Sequence, residues 1–146
     1  MISIRVKKLN PLARIPQYMS KGSSGCDVYA CLLEAIEIKP GERASVPTGL
    51  IFEIPVGYEI QVRPRSGLAI KNGLTIINSP GTIDSDYRGE VRILLVNLGN
   101  ETVQIVHGDR IAQLVLGQIE QIQWAESPEL GVTARDTGGF GSTGLK

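Results

Sequence analysis

The chain has 146 residues, 42% of them hydrophobic, with 15 Lys+Arg against 15 Asp+Glu and a formal net charge of zero. This describes one ordinary domain with a buried core and excludes a disordered chain. The absent basic excess argues against a duplex nucleic-acid partner, and no apolar run is long enough to span a membrane.

In chain order the pattern is a series of short strands between Gly, Pro and Asn signals. Residues 1–8 alternate like a strand and lack the apolar core of a signal peptide, so a cytoplasmic protein is expected. Ile36 and Ile38 alternate with charged residues before Pro40-Gly41, and Ala44 and Val46 alternate before Pro47-Thr48-Gly49. Leu50 to Ile54 is strand-like, and Tyr58, Ile60 and Val62 alternate with Glu59, Gln61 and Arg63. Ser66 to Gly73 is the exception: a capping serine and a closing Asn-Gly predict one or two helical turns. Val91 to Val96, apolar apart from Arg92, predicts a strand covered on both sides. Val103 and Ile105, then Ile111 to Leu116, then Ile119 to Trp124 predict three more strands. About ten strands at this spacing indicate an all-β barrel or jelly roll. Residues 131–146 are glycine-rich without an apolar pattern and read as a flexible arm after a β domain over 1–130. Fully extended, the arm reaches roughly 50 Å, enough to meet a neighbouring subunit.

The chemistry must be found away from histidine and cysteine. Cys26 and Cys31 are too few for a zinc site, and the single histidine, His107, sits in an apparent turn with Gly108 and Asp109. Ser-His-Asp and Cys-His mechanisms are therefore disfavoured, leaving carboxylates, arginines, backbone and a metal ion. Gly139 to Gly144 matches G-x-G-x-x-G, but no strand–helix–strand unit can follow it, so a dinucleotide fold is rejected. Its glycines suit either a phosphate wrap or a plain polar tail. Arg63-Pro-Arg65-Ser66-Gly67 combines arginines, a hydroxyl and free N–H groups, as an anion site or a solvated cap would. In Asn78 to Glu90, Asn78 offers a donor and an acceptor for a pyrimidine edge. A turn at Asp86-Tyr87-Arg88-Gly89 would leave Asp84 as the carboxylate facing a pocket; the alternative is an acidic hairpin salt-bridged by Arg88. Gln113, inside an apolar strand, needs partners and commonly finds them in neighbouring backbone. Asp27 fixes a turn or reaches a metal through water.

Together five segments resemble the five ordered motifs of the trimeric deoxyuridine triphosphatase (dUTPase) family: residues 24–30, 64–69, 81–90, 108–115 and 135–144. The resemblance implies a jelly-roll homotrimer with active sites at subunit interfaces. It implies hydrolysis of dUTP to dUMP and pyrophosphate by water attack on the α-phosphorus, which keeps uracil out of DNA and supplies dUMP for thymidylate synthesis. By position, Asp84 would orient the attacking water, and Asn78 with the hairpin backbone at Gly81, Thr82 and Ile83 would read uracil. Tyr87 would pack under the deoxyribose, while Arg65, Ser66, Gly67 and Gln113 would hold phosphates and Arg92 would lie near the nucleotide. Arg135, Phe140, Gly141, Ser142 and Thr143 would close over the ligand, and Asp27 would help place Mg²⁺ through water. A dCTP deaminase shares the fold, but Phe140 before Gly-Ser-Thr-Gly favours the triphosphatase; a non-hydrolytic nucleotide-binding protein is the rival from another class.

Overall fold

Turn signals divide the chain into eleven short strands and one helix over residues 2–139, the part described by the computed structural model. The strands are β1 (Arg5–Lys8), β2 (Cys26–Tyr29), β3 (Ile36–Ile38), β4 (Arg43–Pro47), β5 (Leu50–Glu53) and β6 (Tyr58–Arg63), then, after helix α1 (Ser66–Asn72), β7 (Leu74–Ile76), β8 (Gly81–Ile83), β9 (Arg92–Asn97), β10 (Val103–Ile105) and β11 (Arg110–Gln118). All pairings are antiparallel, in four sheets: β2-β11-β6-β8, β4-β9-β7, β1-β5 and β10-β3. This is a distorted jelly roll. The described strands do not close into one barrel, so that half of the expectation is corrected.

Alternation aims the apolar side chains inward. Ile60 and Val62 of β6, Val28 of β2, Leu114 of β11, Val46 of β4 and Ile93 and Leu95 of β9 join one buried cluster. β9 is not covered on both sides as expected. Arg92 and Leu94 are exposed on its outer face, where they line a cavity described below. A second correction concerns residues 119–124, which form no strand. Ile119 donates its N–H to Gly57 O at 3.0 Å, but Trp124 is 86% exposed. An alternating pattern makes a ladder only where a partner edge lies alongside it.

Helix α1 ends as its sequence predicts. Gly73 adopts φ 66° and donates to Ala69 O, and a Cβ there would collide with the Gly99 backbone. Its start differs: Arg65, extended at φ −93° and ψ 123°, is the N-cap residue and makes no side-chain cap bond. Ser66 is thus the first helical residue, one position inside the expected cap.

The end of β9 is fixed by a residue that periodicity does not mark. Asn97 is fully buried; its Nδ2 donates to Ile38 O at 2.8 Å and Glu101 O at 2.7 Å, and its Oδ1 accepts from Gly99 N at 2.9 Å. Asn97→Ala should cost about 1–3 kcal/mol, because one buried and two part-buried backbone groups lose their partner. Urea unfolding of the variant against the parent chain measures this directly.

Candidate active site

Two groups of side chains stand out, on opposite sides of β6. The first surrounds a cavity of about 300 Å³ lined by Asn78, Gly81, Thr82, Ile83, Asp84, Tyr87, Glu90, Arg92 and Leu94, among others. Its floor is tight: a Cβ on Gly81 would lie 3.1 Å from Asn78 Nδ2 and 3.3 Å from Val62. Gly81 pairs with Val62 across β8 and β6, so glycine there lets the Asn78 amide approach the sheet. The Ser79–Pro80 peptide beside it is cis.

The Asp84 side chain sits at the exit of β8. A turn closes behind it, with Tyr87 N donating to Asp84 O at 3.2 Å. Arg88 clamps this turn by donating from Nη1 to Ser85 O at 2.7 Å and Tyr87 O at 2.9 Å. It makes no ion pair among the described residues, so the salt-bridged hairpin is not what forms. Asp86 points elsewhere, into a separate cleft with Glu53 and Arg88. The turn thus separates the two aspartates as the sequence predicts, with Asp84 and not Asp86 at the cavity.

Sequence reasoning gave Glu90 no role, yet it ties the cavity wall together. Its Oε1 accepts from Gly49 N at 2.9 Å, and its Oε2 accepts from Arg92 Nη1 at 2.9 Å. Arg92 also donates to Ser45 Oγ at 2.9 Å and Ser45 O at 2.8 Å. Tyr87, half-exposed, lines the cavity and donates its hydroxyl to Glu90 O at 3.0 Å.

The second group lies where β2, β11 and β6 run side by side. Gln113 is the register partner of both Asp27 and Arg63, and cross-strand partners share a face. Asp27 is nearly buried; its Oδ2 accepts from Arg110 Nη1 at 3.1 Å and lies 3.4 Å from Arg65 Nε. Arg65 Nη1 donates to Arg110 O at 2.7 Å. Gln113 Nε2 donates to Pro64 O at 2.9 Å, the neighbouring-backbone role that a polar residue in an apolar strand commonly takes. Ser66 and Gly67, both exposed, open α1, where the first N–H groups have no intrahelical acceptor. None of these residues lines the Asp84 cavity.

The remaining candidates divide. Arg135 donates from Nε to Gly138 O at 2.8 Å, folding onto its own segment instead of either group. Phe140, Gly141, Ser142 and Thr143 lie outside the described residues. His107 lies in a turn, as expected, and its ring accepts from Leu32 N at 3.3 Å, tying that turn to the segment after β2. Another cleft, about 630 Å³ among Lys8, Arg14, Tyr29 and His107, contains no carboxylate, and of the motif residues only Tyr29 lines it. Burial pushes the Cys26 and Cys31 thiols up, which keeps them protonated at neutral pH and poor as nucleophiles.

Asp84, Glu90 and the Asn78 amide thus line one cavity, while Arg65 and Arg110 meet at Asp27 near the start of α1. The dUTPase family model matches residues 12–144. The chain belongs to the dUTPase family. It is 57% identical to the deoxyuridine 5'-triphosphate nucleotidohydrolase of Bdellovibrio bacteriovorus, over 98% of this chain and 97% of that one. It is 54% identical to the enzyme of the same name from Chlamydia muridarum, over 94% and 95%. Among solved structures, a mutant of the Staphylococcus bacteriophage 80alpha dUTPase with dUpNHpp superposes at a TM-score of 0.86, with 29% identity over 98% of this chain and 99% of that one. A mutant dUTPase from phage phi11 of S. aureus, described with a structural Mg(II) ion, gives 0.79 with 27% identity over 87% and 97%.

Two tests follow from this geometry. A Cβ at Gly25 would lie 2.7 Å from Gln113 Oε1 and 3.2 Å from Val115. Gly25→Ala should therefore stay folded, within about 1 kcal/mol of the parent, because the amide end of Gln113 can swing away; a crystal structure should show Gln113 off the Pro64 carbonyl. Both thiol pKa values are raised, so alkylation by iodoacetamide should be slow at pH 7–8 and still accelerating above pH 9, as mass spectrometry of Cys26 and Cys31 will show.

Proposed function

We propose that the chain hydrolyses dUTP to dUMP and pyrophosphate by attack of water on the α-phosphorus, with Asp84 orienting that water. The reaction is the family's; the observation that carries the mechanism is that Asp84 lines the same cavity as Asn78 and Gly81, where the other carboxylate, Glu90, is engaged by Gly49 N and Arg92. In this reading Asn78 and the backbone of Gly81, Thr82 and Ile83 pair with uracil. Uracil presents a carbonyl at position 4 and an N–H at position 3, and cytosine inverts both. A rigid hairpin built for uracil leaves buried groups unpaired against cytosine, at a cost of roughly 10⁴-fold. Tyr87, which lines the cavity, packs under the deoxyribose and leaves no room for a 2′-hydroxyl.

Asp84 alone cannot account for the rate. An ordinary aspartate is a weak base at pH 7, and general-base help amounts to roughly 10²- to 10⁴-fold. Most of the acceleration must come from positioning and from neutralising the triphosphate. Arg65, Ser66, Gly67 and Gln113 are the groups for that work, with Arg92 at the margin of the nucleotide. Arg135, Phe140, Gly141, Ser142 and Thr143, in the arm over 131–146, close over the bound ligand.

Mg²⁺ is the expected cation. No group of three His, Cys, Asp or Glu side chains among the described residues could hold a metal, which fits an ion carried by the phosphates. Asp27 is the carboxylate available to it through water, by Oδ1, since Oδ2 is taken by two arginines. When bound, the ion neutralises phosphate charge. The separation of the Asp84 cavity from Arg65, Ser66 and Gln113 supports a site completed by a second copy of the chain, as in a homotrimer. No helix among the described residues is long and apolar enough to cross a membrane, and both cysteines are free, which fits work in the reducing cytoplasm.

Asp84→Asn should keep affinity for a non-hydrolysable dUTP analogue within a few-fold and lower kcat by roughly 10²- to 10⁴-fold; near-parental turnover would remove Asp84 from the mechanism. Pyrophosphate release with Mg²⁺ should be fast with dUTP and weak with dCTP, dTTP and UTP, whereas ammonia released from dCTP would mark a deaminase. Truncation after Leu130 should leave a folded trimer, checked by light scattering, with severely reduced hydrolysis. Full activity of the truncated chain would make the arm a mere tail.

A further inference from the structure

We propose that Glu90 is a positioning residue for the reaction: it holds Arg92 against Ser45 and away from Asp84, so that Asp84 keeps both carboxylate oxygens for the attacking water. This rests on the dUTP-hydrolase reading above. Charge supplies the first argument. Three charged side chains line the cavity, Asp84, Glu90 and Arg92, so two carboxylates compete for one guanidinium. An aspartate paired with an arginine is a poor base, because the pair stabilises its charged form and occupies its oxygens. Arg92 goes to Glu90 instead, with Nη1 donating to Oε2 at 2.9 Å. None of the ion pairs among the described residues includes Asp84.

The backbone decides which carboxylate takes the arginine. Val91, between Glu90 and Arg92, is buried, and its N–H donates to Leu50 O at 2.8 Å. Extended backbone alternates sides, so Glu90 and Arg92 emerge together on the other side. Glu90 is fixed from behind, where Gly49 N donates to Oε1 at 2.9 Å. That contact needs the glycine, which adopts φ 69°; a Cβ there would lie 2.9 Å from Ala13 Cβ and 3.0 Å from Cys31 Sγ. Arg92 is fixed from β4, with Nε donating to Ser45 Oγ at 2.9 Å and Nη2 to Ser45 O at 2.8 Å. All three guanidinium nitrogens are therefore held, two by Ser45 and one by Glu90. Without the Glu90 charge, the one carboxylate left in the cavity to attract Arg92 is Asp84.

The test is a double-mutant cycle on the full chain, read by steady-state dUTP hydrolysis and by calorimetric titration with dUpNHpp. Glu90→Gln keeps an oxygen for Gly49 N and turns an N–H₂ donor toward Arg92. It should lower kcat about tenfold or more, a part of the general-base contribution, and leave the Kd of dUpNHpp within a few-fold. On an Arg92→Met background the same Glu90→Gln change should alter kcat by less than about twofold, because no guanidinium is left to reach Asp84. Parental kcat in Glu90→Gln overturns the proposal. So does an equal fall in both backgrounds, which would make Glu90 a brace for Gly49 only. If Glu90→Gln does not fold by circular dichroism, Ser45→Ala decides, since it frees Arg92 Nε and leaves the Gly49 contact in place. It should lower kcat by a few-fold, and only where Arg92 is present; parental kcat in Ser45→Ala then overturns the proposal. Failure of the parent chain to release pyrophosphate from dUTP would instead overturn the underlying hydrolase reading.

Discussion

The site depends on how β6 and β11 are locked in register. β6 pairs with β8 on one edge, placing Gly81 against Val62 and so forming the floor of the Asp84 cavity. On its other edge it pairs with β11, placing Gln113 beside Arg63, while β11 in turn carries Asp27 of β2. A slip of one residue in either ladder would turn every side chain to the opposite face. The buried alternation of Ile60, Val62 and Leu114 makes such a slip costly, because it would exchange apolar core for polar side chains. The same hydrophobic pattern that folds the sheet therefore positions both halves of the chemistry.

These halves are built on different principles. The cavity around Asp84 is rigid backbone: a glycine floor, a turn clamped by Arg88, and a wall tied by Glu90 to Gly49 and Arg92. Such a surface suits shape and hydrogen-bond recognition of a flat base. The group around Asp27 consists of long charged side chains steadied by each other, which suits a charged polyphosphate. In the proposed reading the first supplies selectivity and the second supplies neutralisation, the larger share of the rate.

Much of this was legible in the chain. Pro-Gly and Asn-Gly signals marked strand ends, because few other residues tolerate those turns. The separation of Asp84 from Asp86 was legible from the Tyr-Arg-Gly that follows. Glu90 and Asn97 were hidden: each bonds to segments 41 to 59 positions away, at Gly49 and Ile38, and periodicity reports only local facing. The strand expected at 119–124 failed in the other direction. Its local pattern is present, but a ladder needs a second edge, and among the described residues none pairs with it.

The central claim is that water, held from the Asp84 side, attacks the α-phosphorus. Hydrolysis of dUTP in H₂¹⁸O followed by mass spectrometry of both products tests it most directly. The account predicts one ¹⁸O atom in dUMP and none in pyrophosphate. Label in the pyrophosphate instead would place the attack on the β-phosphorus and contradict the account.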